Sequence, residues 1–200
     1  MTTISHYFPN KGFLEIKFKD SDLINLRQEV EEIKNDPSNI EPMNNTLAGN
    51  IKREYKITKC HNEVEQLVMP HIHEYIREYF KETGEVKLNS VWVNFQKKYE
   101  FNPLHSHTGM YSFVIWLKIP FDMESELLNG PGNESYNNLA GTFQFMYFDS
   151  TGQAKPYTVY ADKKYENTML VFPAGMFHCV HPFYTSDDYR ISVAGNFGIK

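Results

Sequence analysis

Cysteine is scarce in this chain: Cys60 and Cys179 lie far apart, in neither a metal-binding nor a redox spacing. That excludes a disulfide framework and favours free thiols in a reducing compartment. No window approaches the roughly 20 apolar residues of a membrane span. The opening MTTISHYFPNKG holds neither an apolar run of signal-peptide length nor a basic lead-in. The expectation is a soluble, cytoplasmic protein with no membrane partner. Long basic runs are missing too. Lys plus Arg number 20 against 25 Asp plus Glu, a net charge of -5, which argues against a broad nucleic-acid surface. Internal repeats and low-complexity segments are absent from the sequence.

What is present is a chain of 200 residues, 41% hydrophobic and 15% aromatic. That suffices for one sizeable core, expected as a single domain over residues 1–200. Phe13–Phe18 (FLEIKF) alternates apolar and charged residues and reads as a half-buried strand. Asp20–Asp22 offers N-cap side chains to a first helix, with Leu23, Leu26, Val30 and Ile33 at helical spacing and Pro37 closing it. Residues 36–50 read as a loop with a turn near Leu47–Asn50, and Tyr55–Ile57 as a short extended piece. Val64, Leu67, Val68, Ile72, Ile76 and Phe80 keep the period of a second helix until Gly84. Pro70 predicts a kink or restart within it. His71 and His73 cannot share a metal from a helix, where positions i and i+2 diverge, and read as surface residues.

From Val86 onward the period changes to two. Val91–Gln96, Ser112–Ile119, Gly141–Phe148, Thr158–Tyr160, Thr168–Phe172, His178–Val180 and Arg190–Phe197 are the expected strands. A β-rich region at about 86–197 behind helical support at about 20–84 predicts a mainly β, α+β barrel or sandwich with flanking helices. The segment 122–140 with Gly130-Pro131-Gly132 reads as a long loop, of the kind that acts as a lid or binding loop.

Asn102–Ile119 (NPLHSHTGMYSFVIWLKI) organises the chemistry. In an extended chain His105 and His107 share a face, as do Arg190 and Ser192. With the distant His178, two histidines on one strand could occupy one face of an octahedral ion and leave three positions open for substrate or dioxygen. A strand histidine is more often structural than ligating, so spacing alone does not carry the metal. Arg190 adds weight, because a guanidinium matches a carboxylate bidentately and Ser192 can add a hydroxyl. Asn94, Gln96 and Tyr99 could reach the same ligand or could face solvent. His181 and Cys179 have the opposite parity to His178 and read as outside the site, and Trp116 reads as core.

The segment His178-Cys179-Val180-His181-Pro182 followed by Arg190-Ile191-Ser192 resembles the HxVxP…RxS end of the iron- and 2-oxoglutarate-dependent oxygenases. Trp92-Val93-Asn94, Asn102-Pro103, His105-Ser106-His107 and the strand near Ser112–Leu117 resemble, in that order, a subgroup common in bacteria and phages. The likeness covers about residues 86–197. It implies a double-stranded β-helix (jelly roll) holding Fe(II) on His105, His107 and His178. Arg190 and Ser192 would hold the distal carboxylate of 2-oxoglutarate, and dioxygen would be the second co-substrate. The implied reaction is hydroxylation of an unidentified substrate with release of succinate and CO2, in the host cytoplasm if the gene is phage-borne. The departure is His107, where the resembled pattern has Asp or Glu. Glu100 and Asp122 are the nearest carboxylates in sequence, and His107 could instead orient the site from behind. A cupin-like three-histidine dioxygenase without 2-oxoglutarate and a non-catalytic jelly-roll binding protein stay open, as does a homodimer.

Overall fold

The computed structural model describes residues 12–79 and 85–200; the readings at Phe80 and Gly84, and at the extreme N-terminus, fall outside them. The strands are β1 (Leu14–Lys17), β2 (Glu54–Lys56), β3 (Val86–Gln96), β4 (Asn102–His105), β5 (Tyr111–Lys118), β6 (Phe143–Phe148), β7 (Ala154–Val159), β8 (Thr168–Pro173), β9 (His178–Val180) and β10 (Arg190–Ile199). The helices are α1 (Ile24–Asn35), α2 (His61–Tyr79) and α3 (Met123–Asn129). All strand pairs are antiparallel and fall into two sheets, β1-β8-β5-β10-β3-β2 and β4-β9-β6-β7. From β3 onward, the strands alternate between these sheets, except that β6 and β7 form a hairpin within the smaller one, in the winding of a double-stranded β-helix. The fold is therefore mainly β, a jelly roll with helices against its larger sheet.

Strand alternation explains the layering. On β10, Ile191, Val193 and Phe197 join Val91, Val93 and Phe95 of β3 and Phe113, Ile115 and Leu117 of β5 in one core. The apolar stripes of α1 (Leu26, Val30, Ile33) and α2 (Val64, Val68, Ile72, Ile76) complete it. The opposite parity, through Val114, Trp116, Leu170 and Phe172, faces Phe143 and Phe145 of the smaller sheet in a second core. Between the sheets that second face opens into a cleft.

Glu29 ties the two long helices together. Its buried carboxylate accepts backbone N–H bonds from Thr58, Lys59 (both 2.9 Å) and Cys60 (2.7 Å) at the start of α2, where helix donors are unpaired and the dipole favours an anion. Several local expectations change. Asp20–Leu23 forms a 3-10 turn before α1, and Asp22 Oδ2 accepts from Lys19 N at 2.9 Å rather than capping α1 itself. The 122–140 segment is not all loop. Asp122 accepts from Ser125 N (2.8 Å) and starts α3, which buries Met123 and Glu126. His71 is half-buried, its ring edge-on to Phe18 at 5.8 Å.

Pro70 lies within an unbroken α2. Its exposed ring faces away from the sheet, while Val64, Val68, Ile72 and Ile76 are buried against it; that packing outweighs the missing N–H. Pro70→Ala restores the donor and should stabilise the fold by about 2 kcal/mol, net of the extra entropy given to the unfolded chain. Urea denaturation checks this; a lower midpoint in the variant would contradict it.

Candidate metal centre

His105 ends β4 and is the cross-strand partner of His178 on β9, so both imidazoles project between the sheets, with ring centroids 4.3 Å apart. His107 lies past the end of β4. Its backbone N–H donates to Ala174 O at 2.8 Å, and that bond, rather than strand parity, brings Nε2 to 3.1 Å from His178 Nε2. One possible ligand atom from each histidine lies within 4.8 Å of the others. Two nitrogens each about 2.1 Å from one ion and at right angles would stand about 3.0 Å apart, close to the observed spacing.

The tautomers are set from behind. His105 Nδ1 donates to Pro103 O (2.7 Å) and His178 Nδ1 to Met176 O (2.9 Å), which leaves each Nε2 as a lone pair for the cleft. His178 packs among the rings of Phe143 (5.6 Å) and Phe172 (5.0 Å), and His107 lies beside Trp92 at 5.7 Å. Burial lowers all three imidazoles, His178 to about 3 and His107 to about 4, with the neighbouring histidines adding to the effect on those two. They are therefore neutral at neutral pH, the form that binds a metal. Among the described residues no carboxylate lines the cleft. Glu100 accepts from the backbone of Lys52 and Lys97 instead, and Asp122 caps α3.

Along the cleft lies Arg190, 2% exposed. Its Nε and Nη2 donate to Gln96 Oε1 (2.9 and 2.8 Å), Nη2 also to His181 O (2.9 Å), and Nη1 to Gly141 O (2.7 Å). The guanidinium lies 5.7 Å from the Phe121 ring and 5.6 Å from that of Phe183. Burial draws its pKa down, to about 9, against the opposing field of Glu126, so it stays charged near neutrality. None of its hydrogen bonds goes to a carboxylate, and one Nη1 N–H remains for a ligand. Glu126 itself, fully buried on α3, accepts from Tyr184 N (2.9 Å), Thr185 N (2.7 Å) and the Thr185 hydroxyl. It thereby fixes α3 to the segment that supplies His181 O to Arg190.

Asn94, Gln96 and Ser192 line the same cleft. Asn94 Nδ2 donates to Ser192 Oγ at 3.3 Å. Gln96 is the bracket for Arg190. The structure does not bring Tyr99 to the site: it is 62% exposed in a turn with φ 71° and lies against Tyr184 at 5.6 Å. Trp116 is core and also lines the cleft, whereas Cys179 and His181 face away from it, with Cys179 Sγ 3.5 Å from His181 Nε2. Sequence reasoning missed Asn102, Ile51 and Glu54. Asn102 and Ile51 line the cleft, and Glu54 is buried beside Asn94 on β2. The signal for Glu54 was a lone acid in a short extended piece, which reads equally as solvent-facing.

Three neutral imidazoles gathered inside a jelly roll, beside one buried arginine, could hold a single metal ion. The sequence pattern of the family described as "Putative 2OG-Fe(II) oxygenase" matches residues 90–196, more than half of the chain. The chain belongs to this family of enzymes, oxygenases that use Fe(II) and 2-oxoglutarate. No curated protein matches it in sequence. Among solved structures it is similar to a prolyl-4-hydroxylase of Pseudomonas putida, at 13% identity and TM-score 0.59, covering 95% of this chain and 94% of that one. A viral collagen prolyl hydroxylase of Paramecium Bursaria Chlorella virus-1 gives 12% and 0.58, over 100% and 98%. HygX of Streptomyces hygroscopicus, crystallised with nickel, 2-oxoglutarate and hygromycin B, gives 10% and 0.58, over 95% and 84%. At these identities the likeness shows the fold they share.

The lowered imidazoles bear on stability. His178 in the unfolded chain titrates near 6.5 but in the fold only at about 3, so below pH 6.5 the unfolded state binds the extra proton. Stability is full above that pH and falls as pH drops through the window, by about 1.4 kcal/mol per pH unit for this residue. Urea unfolding of the metal-free protein at several pH values should show this slope, and His178→Asn should flatten it. Equal slopes in the two proteins would contradict the assignment.

Proposed function

We propose that the enzyme hydroxylates an organic substrate at a centre where His105, His107 and His178 hold Fe(II). Arg190 and Ser192 hold the distal carboxylate of 2-oxoglutarate. The observation that carries this reading is the buried Arg190 cation, which has no carboxylate partner and lines the cleft that also contains the three imidazoles. With Fe(II), 2-oxoglutarate and dioxygen bound, such a centre supplies an oxidant for a C–H bond while the keto acid leaves as succinate and CO2. The protein's own residues prepare it. His105 and His178 present fixed lone pairs, Gln96 and the carbonyls of Gly141 and His181 hold the guanidinium in place, and Ser192 supplies a hydroxyl. Phe143, Phe172 and Trp116 keep the wall around the cosubstrate dry. Substrate choice is assigned to the part of 122–140 beyond α3, because α3 itself is fastened by Glu126. The whole works as one domain, and the two free thiols suit the cytoplasm.

Anaerobic titration with Fe(II) and then 2-oxoglutarate tests this. A keto acid chelating ferrous iron should give a visible charge-transfer band in the wild type, lost in His178→Ala. Ser192→Ala should require about tenfold more 2-oxoglutarate for half-saturation, the size of one hydrogen bond to a charged group. Iron uptake without a band would overturn the cosubstrate assignment in favour of a three-histidine dioxygenase. Absence of iron uptake would favour a jelly-roll binding protein.

A further inference from the structure

Two buried oxygens lie on neighbouring strands, and among the described residues neither has a donor. Glu54 of β2 and Asn94 of β3 are cross-strand partners, and such partners project from one face with Cβ atoms about 5 Å apart. Glu54 is 1% exposed and Asn94 7%. Glu54 Oε1 and Asn94 Oδ1 are each buried without a hydrogen-bond partner; Glu54 Oε2 accepts from Asn44 Nδ2 at 3.3 Å. Left so, each orphan acceptor would carry its full desolvation cost. Two acceptors cannot satisfy one another, but a single proton between them satisfies both. The rung then continues across the sheet. Asn94 is also the cross-strand partner of Ser192 on β10 and donates Nδ2–H to its hydroxyl at 3.3 Å. Having accepted there, Ser192 keeps its own O–H to give away.

We propose that Glu54 is a positioning residue held as the neutral acid. Its O–H donates to Asn94 Oδ1, Asn94 donates to Ser192, and Ser192 is left with its O–H turned toward the distal carboxylate of 2-oxoglutarate. This rests on the cosubstrate reading above. All donors in the rung point the same way, from β2 to β10, so each bond polarises the next. The rung matters because the adjacent one, Arg190 with Gln96, has most of its N–H groups committed to protein acceptors. Loss of the Glu54 proton reverses the order. The carboxylate then takes Nδ2–H from a turned Asn94 amide, whose Oδ1 takes the Ser192 O–H away from the cleft.

The surroundings of Glu54 suit the neutral form. Burial raises its carboxyl to about 7, helped by the like charge of Glu100 in the turn after β3. From the 43–51 segment comes only the neutral Asn44 amide. On β2 and beside it, Lys56 is paired with Glu41 at 2.7 Å, and Arg53 stacks over Phe95 and Tyr189.

The test is calorimetric titration of 2-oxoglutarate into the Mn(II)-loaded protein between about pH 6 and about pH 8.5. Wild type, Glu54→Gln and Glu54→Ala are compared, with circular dichroism to confirm their folds. Difference infrared spectra of the metal-free proteins at about pH 6 accompany it. Wild-type affinity should weaken about tenfold across the range, the size of one hydrogen bond. Glu54→Gln keeps a neutral donor and should hold the low-pH affinity throughout, whereas Glu54→Ala should be weak at every pH. A carboxylic-acid C=O stretch in the wild type should be missing from Glu54→Gln. Binding with parallel pH curves in wild type and Glu54→Gln, or no such infrared difference, overturns this proposal alone. Metal-loaded protein that takes up no 2-oxoglutarate at any pH overturns the cosubstrate reading and this proposal with it.

Discussion

The constraint on which the molecule depends is the strict alternation of side chains along β10. Ile191, Val193 and Phe197 fill the core beneath α1 and α2, while Arg190, Ser192 and Asn196 line the cleft. A shift of register by one residue would drive the guanidinium into the helix-facing core and expose the apolar set. Pairing on both sides, with β3 and β5 over nearly its whole length, makes such a slip costly. Gly195 adds to this: a Cβ there would stand 2.6 Å from both the Phe113 ring and Ser90 O. The strand that carries Arg190 and Ser192 is thus held in register from both sides.

Buried charge is handled by the same logic throughout. Glu29 and Glu126 each lie inside and each takes several N–H or O–H donors from a neighbouring segment. Their bonds are charge-assisted and hold α2 and α3 in place. Arg190 is different in kind. Its acceptors are an amide oxygen and two backbone carbonyls, so its positive charge stays uncompensated by a bonded anion. Beside the fully bonded carboxylates of Glu29 and Glu126, that asymmetry sets Arg190 apart.

Much of this was legible from residue order. Period two from Val86 onward located the strands of the larger sheet, and the parity of Arg190 with Ser192 placed both on the cleft face. The stripes of α1 and α2 were readable from Leu26–Ile33 and Val64–Ile76. What escaped was decided by contacts distant in sequence. His107 reaches the site through a backbone bond to Ala174, not through strand parity with His105. Tyr99 has a strand-like neighbourhood but sits in a turn with positive φ, which swings it into solvent. Pro70 failed to break α2 because the buried stripe on either side of it holds the helix to the sheet. Glu54 looked like any acid between Arg53 and Tyr55, and only its pairing with Asn94 shows it lying inside.

An imidazole rather than a carboxylate at position 107 would have a consequence for how iron and keto acid meet. As ligands, three imidazoles would bring no negative charge to a divalent ion, and among the described residues the cleft has no carboxylate to make up the difference. The keto acid would then be the sole anion in the coordination sphere, so each guest would improve the reception of the other by the same factor, as linkage requires. Such a centre would assemble as a joint event. Iron would be retained where 2-oxoglutarate is plentiful and released where it is scarce, making the metal content of the protein a gauge of its cosubstrate.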